Sequence, residues 1–254
     1  MGTSTRWGGP RGGQWRQAAR VFGRGQIPIK PEPEHDSVHV GEKYLAALHA
    51  EFQKHPTTMG LRDAMYSAGE RLIQVCDAIT THGPTAVGEL PGDTPQERLD
   101  AFRQNFVDAV AGQGGLLADV MVRRAACRSV ERLLNGDNQA FKNAVIHPGT
   151  AVSPLSGELF CALFRWFFAD VVREFIAAMI AENVKVVVPV LTLDPTGLVA
   201  HWIAEQVVAL LPNPCEHVSA PTTVLRPLSA VARELVTEAV NRALGITSDG
   251  MEAA

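Results

Sequence analysis

The most reactive group this sequence offers stands at its start. Met1-Gly2 opens the run MGTSTR, and ordinary removal of Met1 would expose a glycine α-amine with no side chain to obstruct its attack. Such an amine titrates near ~7.7–8.0 against ~10.4 for a lysine, so about a fifth of it is neutral near neutral pH, against about one lysine in a thousand. Gly2 is therefore the best amine nucleophile on the chain, and acyl transfer onto it is the chemistry to expect. N-myristoylation fits less well, because its pattern wants Ser or Thr at position six, where Arg6 stands, with Thr5 one place early. A start with no chemical role stays open as the alternative.

Elsewhere the reactive residues lack the spacing that chemistry needs. GGPRGG has the glycines of a phosphate loop but not the Lys-Ser/Thr that would reach phosphate and Mg²⁺, and no strand precedes it. There is no HExxH, no GxSxG elbow and no paired-cysteine metal spacing. His35 and His39 are four apart but fall in what reads as a proline-rich acidic linker, which gives a helical metal pair no scaffold. Cys215 and His217 flank Glu216 in an expected loop, where solvated, structural roles are the ordinary ones. The expectation is no catalytic residue, no metal and no enzyme activity.

Charge singles out the same end of the chain. The formal net charge of −4 hides an arm, residues 1–30, with Arg6, Arg11, Arg16, Arg20, Arg24 and Lys30 and no acid; the remaining 17 bases face 27 acids. Trp7, Trp15 and Phe22 interleave with those arginines. The pattern suits bases stacked on rings with phosphates on guanidiniums, docking on a protein partner, or aromatics folded back onto the body. A protein partner is favoured over nucleic acid, because the acidic body would repel a duplex lying across it.

The elements that must carry these groups read as helices. With 254 residues, 46% apolar and 20% charged, the chain can bury a sizeable core. Residues 1–40, rich in Gly and then Pro, read as a flexible basic arm and linker, though QWRQAARVF could make two helical turns with Trp15, Ala18, Ala19 and Phe22 on one face. Residues 41–147 form an N-terminal helical region. Tyr44, Leu45, Leu48 and Phe52 make its first stripe, and Leu61, Met65, Ala68, Leu72, Val75, Cys76 and Ile79 the second. Thr94-Pro95-Gln96-Glu97 is a capping box before Leu99, Phe102, Phe106 and Val110. Leu116–Leu134 follows, with Asn135-Gly136 as a left-handed terminator, and then Gln139–Ile146.

Residues 148–254 form a C-terminal helical region, either separate from 41–147 or one domain with it. Ser156 caps a long helix to about Asn183 that is apolar on most sides and so should be the central element. Val184–Leu193 is the one strand-like run, and helices over Gly197–Leu211 and Pro227–Leu244, the latter ended by Gly245, complete the chain. The expected fold is mainly α, an irregular helical bundle with at most one short strand-like segment. Four cysteines spaced 51, 34 and 54 apart are too sparse for a disulfide scaffold and suit a reducing, cytoplasmic home. The start has no apolar stretch of signal length, and Arg165, Asp170, Arg173 and Glu174 interrupt the most apolar segment, so neither secretion nor a membrane span is expected.

MGTSTRWGGPRGG resembles the MGTS…GGP.G opening of the B components (QatB-like) of bacterial Qat anti-phage defence systems. The layout behind it is similar: a Gly/Pro-rich linker, a helical middle, the stretch GLLADVMVRRAACRSVERLL, an aromatic-rich late helix and a final helix, with a shorter linker here. The resemblance implies a non-enzymatic adaptor working beside an ATPase, a QueC-like protein and a TatD-like nuclease. QueC enzymes activate the carboxylate of a 7-deazaguanine with ATP and let an amine attack. A partner that kept the activation step but accepted a protein amine would leave a covalent 7-deazaguanine-type group, a deazapurine amide, on Gly2. Thr3, Ser4, Thr5, Gly8, Gly9 and Pro10 would then be the recognised sequence, and Trp7, Trp15 and Phe22 the docking residues. The other class left open is a nucleic-acid-binding or protein-docking accessory protein using the Trp/Arg arm.

Overall fold

The computed structural model describes Trp15, Gln17 and residues 33–112, 114–136, 138–149, 155–184, 195–218 and 227–246. These residues are mainly helical, as α1 (Pro33–Lys54), α2 (Leu61–His82), α3 (Pro95–Ala111), α4 (Leu117–Asn135), α5 (Gln139–Ile146), α6 (Gly157–Val184), α7 (Pro195–Leu210), the short α8 (Pro214–Val218) and α9 (Leu228–Leu244). The strand-like Val184–Leu193 run begins at the last residue of α6, and its other residues lie outside those described.

The apolar stripes go where their periodicity sends them. All seven residues of the Leu61–Ile79 stripe are buried, as are Leu99, Phe102, Phe106 and Val110 of α3. Thr94 closes a capping box: the Glu97 amide donates to Thr94 Oγ1 at 3.3 Å, and the Thr94 and Asp93 amides donate to Glu97 Oε2 at 3.0 and 2.8 Å. These backbone donors, with the Thr94 hydroxyl, hold the Glu97 carboxyl below the usual carboxylate range. Ser156 caps α6 through a bond from the Leu159 amide, and Gly245 ends α9 in the left-handed conformation.

Three expectations are corrected. Residues 33–40 are not linker but the first two turns of α1. Pro33 brings a preset φ and lacks only an N–H that a helix start leaves unbonded, and the acids at 34 and 36 suit the positive end of the helix dipole. That extension carries the stripe back to Val40, four residues before Tyr44. Gly136 does follow the last turn of α4, but at φ −71 it is extended rather than left-handed. And two of the sparse cysteines are paired: Cys161 on α6 and Cys215 on α8 form a disulfide across 54 residues of chain, with Cα atoms 6.0 Å apart. That separation leaves no local pattern to read, and the bond weighs against the reducing compartment that the sparse cysteines suggested.

α6 is the axis of the molecule. It packs on α4 and α7 most extensively and also meets α2, α8 and α9, and the buried side chains of both helical regions belong to one core cluster. One close approach fixes three of these helices. A Cβ at Gly69 of α2 would stand 2.7 Å from Phe168 Cζ of α6 and 3.2 Å from Val236 of α9. Phe168 is fully buried, in edge contact with Phe164 and Phe167, and has nowhere to retreat. Alanine would gain about 1 kcal/mol of helix propensity against an overpacking cost of about 1–3. Gly69→Val gains less and collides more, so it is expected to lose about 2–3 kcal/mol of stability, read as a lower urea midpoint at unchanged m-value.

Candidate functional site

Two places in the structure gather groups that could act: the seat of the arm, and a seam of charge beside α6. Of the residues expected to serve the arm, Trp15 is described; Gly2, Thr3, Ser4, Thr5, Trp7, Gly8, Gly9, Pro10 and Phe22 lie outside the described residues. Trp15 is helical and only 3% exposed. Its ring meets Tyr44 of α1 edge-on at 6.0 Å and Phe175 of α6 at 6.2 Å, and Phe175 in turn meets Phe52 at 5.7 Å. Expected as a docking residue for a partner, Trp15 is docked in the chain's own core. Burial pushes the Tyr44 phenol above its ordinary range. The pocket is aromatic enough that the Trp15 indole N–H finds no acceptor there, and the large apolar area of the ring is what holds the arm against that cost.

The seam runs between α4 and α6. Arg124, Arg128 and Arg132 recur every four residues along one stripe of α4, and Asp170 and Glu174 recur likewise on α6. Because the helices run antiparallel here, the charges meet in order. Arg132 Nη2 donates to Asp170 Oδ1 at 2.7 Å, Arg128 Nε donates to Glu174 Oε1, and Arg124 Nη1 lies 3.8 Å from Glu174 Oε2. Ser129 Oγ adds a 3.4 Å bond to Asp170 Oδ2. At one end the Arg132 guanidinium sits 5.8 Å from the centre of the Trp166 ring, a cation–π contact.

Burial is unequal across the seam. The Asp170 and Glu174 side chains are 0% and 5% exposed, whereas Arg132, Arg128 and Arg124 are 33%, 43% and 67% exposed. The carboxylates form a floor and the guanidiniums a rim. Burial pushes the Asp170 carboxyl up to about 6, against the pull of Arg132, Arg173 and Arg128 and the Ser129 hydrogen bond. Sequence reasoning names Asp170, Arg173 and Glu174 only as charges that break an apolar run. The usable signal is the coincidence of two four-residue periods, one basic and one acidic, on helices that only the fold makes neighbours.

The remaining candidates disperse. Cys215 is committed to the disulfide, while His217 Nδ1 lies 3.1 Å from the carbonyl oxygen of Asn213, the residue just before that short helix, so the Cys-Glu-His triplet does not converge. His35 and His39 share helix α1, the scaffold the linker assignment denied them, but their side chains lie outside the described residues. Among the described residues no three of His, Cys, Asp and Glu are placed to hold a metal ion, and no helix is long and apolar enough to cross a membrane. The chain matches no protein-family model, no curated protein and no solved structure.

Proposed function

We propose that the chain is a non-enzymatic adaptor of a multi-protein anti-phage defence system, and that its Gly2 amine, exposed once Met1 is removed, accepts a deazapurine acyl group from a QueC-like partner. The reading rests on the N-terminal run MGTSTRWGGPRGG and on the chemistry of a glycine α-amine, which alone among the chain's amines is substantially neutral near pH 7. The anchoring of Trp15 is the structural observation that supports it. Thirteen peptide steps separate Gly2 from a side chain fixed in the core, so the amine can reach no further than about 45 Å from its anchor. That length is enough to enter a partner's active site while the helical body stays outside. An ATPase and a TatD-like nuclease complete the proposed assembly.

Intact-mass measurement tests this directly. Co-expressed with the QueC-like neighbour, the Met-processed chain is expected to gain the mass of one deazapurine acyl group, located by fragmentation on Gly2, with the lysines bare. Prepending a few residues should abolish the adduct and the defence together, and Thr3→Ala or Gly9→Ala should lower modification with unchanged helical content. An unmodified mass with every neighbour present, and defence that survives the extension, would overturn the proposal.

A further inference from the structure

The rim of the α4–α6 seam has more guanidinium than its floor can use. Arg128 spends its Nε on Glu174 and Arg132 one Nη on Asp170, and Arg124 stands 3.8 Å from Glu174, mostly in solvent. Arg173, half-buried on α6, makes no hydrogen bond or ion pair with any described residue. Four guanidiniums thus crowd two carboxylates. Burial first, and then the neighbouring Arg128 charge, push the Arg173 guanidinium below its ordinary value, while Asp170 and Glu174 pull the other way. Nearby acids offset the excess only in part. Glu131, hydrogen-bonded by Cys127, also acts on Arg128, whereas Asp108 and Asp100 are paired with Arg123 and Arg103, so four guanidiniums stand against three carboxylates.

We propose that this arginine rim binds single-stranded nucleic acid, the guanidiniums taking successive backbone phosphates and the Arg132–Trp166 stack receiving a base at the end of the track. The shape favours an extended anion over a single phosphate, since Arg124 and Arg132 are eight residues, about 12 Å, apart along the helix. All four bases are arginine, whose planar fork suits phosphate oxygens and whose inward N–H groups the buried carboxylates hold in place. An aromatic ring beside a cationic track is what sequence-tolerant strand binding uses. A rigid duplex would bring the rest of the acidic body close to many more phosphates, whereas a single strand can follow the rim alone. The site uses none of the arm's residues and does not depend on modification of Gly2.

Fluorescence anisotropy of the full chain with a labelled oligothymidylate of about 15 nucleotides tests it. Three phosphate contacts predict about a 20-fold loss of affinity between about 50 and about 200 mM salt, and a duplex of equal length should bind more weakly. Arg173→Gln and Arg124→Gln remove one contact each, and each should cost about 8-fold at about 50 mM salt. Arg124 is mostly in solvent, so Arg124→Gln should retain the wild-type urea midpoint. Arg173 leaves no hydrogen bond open among the described residues, but its charge acts on buried Asp170, so Arg173→Gln should stay folded with a modestly lower midpoint. Replacing Arg6, Arg11, Arg16, Arg20 and Arg24 with Gln should leave most of the affinity. Absence of binding at low salt, binding abolished by the arm substitutions but indifferent to Arg173 and Arg124, or displacement by polyglutamate as effectively as by unlabelled oligothymidylate would each overturn the proposal, the last in favour of an acidic protein segment.

Discussion

Phe175→Ala is expected to destabilise the protein by about 3–5 kcal/mol, the cost of truncating a fully buried phenylalanine. Against a total stability of about 5–15 kcal/mol for a typical domain, this is a large fraction of the whole. The ring lies at the meeting point of three parts of the chain, with Trp15 on one edge, Phe52 of α1 on another, and α6 beneath it. Its loss should therefore show twice, in a lower urea midpoint and in faster proteolysis next to Trp15. Trp15→Ala should cost a similar amount, and the double variant less than the sum, by the roughly 0.5–1.5 kcal/mol that a direct aromatic pair contributes beyond its area. Strict additivity would mean that the arm and α6 are held independently, contrary to the edge contact between them.

The second large effect is electrostatic. An unfolded chain releases an aspartate proton near pH ~3.9, and folded Asp170 releases its proton near about 6, because burial outweighs the surrounding arginines. Between those values the folded state binds more protons than the unfolded one, so stability falls as pH rises across that window. The contribution reaches about 3 kcal/mol. Asp170→Asn carries no such proton and should remove this slope, so that its stability relative to the wild type improves from pH 4.5 to pH 7. Urea midpoints of both proteins at the two values measure it; parallel profiles would show that the wild-type carboxylate carries no such cost. Arg132 is one-third exposed and can turn to water when its partner is neutralised, so loss of the ion pair itself should be less costly than in a sealed core.

Local grammar made most of this bundle readable. Thr94 with Glu97, Ser156, and the apolar spacing of α2 and α3 each act within a few residues, so their outcomes follow from the sequence around them. The start of α1 was obscured because prolines at 31 and 33 mark both a linker and a helix N-terminus, and only the burial of Val40 on the far side decides between them. The disulfide and the arginine seam were hidden for a different reason. Each joins groups dozens of residues apart, and their chemistry exists only once α6 lies beside α4 and α8. The chemistry proposed for Gly2 rests on the sequence alone, since it needs an amine and a short run of neighbours rather than a fold.

The bond between Cys161 and Cys215 also gives the chain a different connectivity from the one its order of residues suggests. It closes a covalent ring that contains most of α6, all of α7 and the Val184–Leu193 run. A single backbone cut anywhere between residues 162 and 214 leaves one molecule instead of two fragments, heavier by one water and still tethered at α8. In its oxidised form, then, the protein can be nicked anywhere along this fifth of its length without being divided, and only a reductant would let the pieces part.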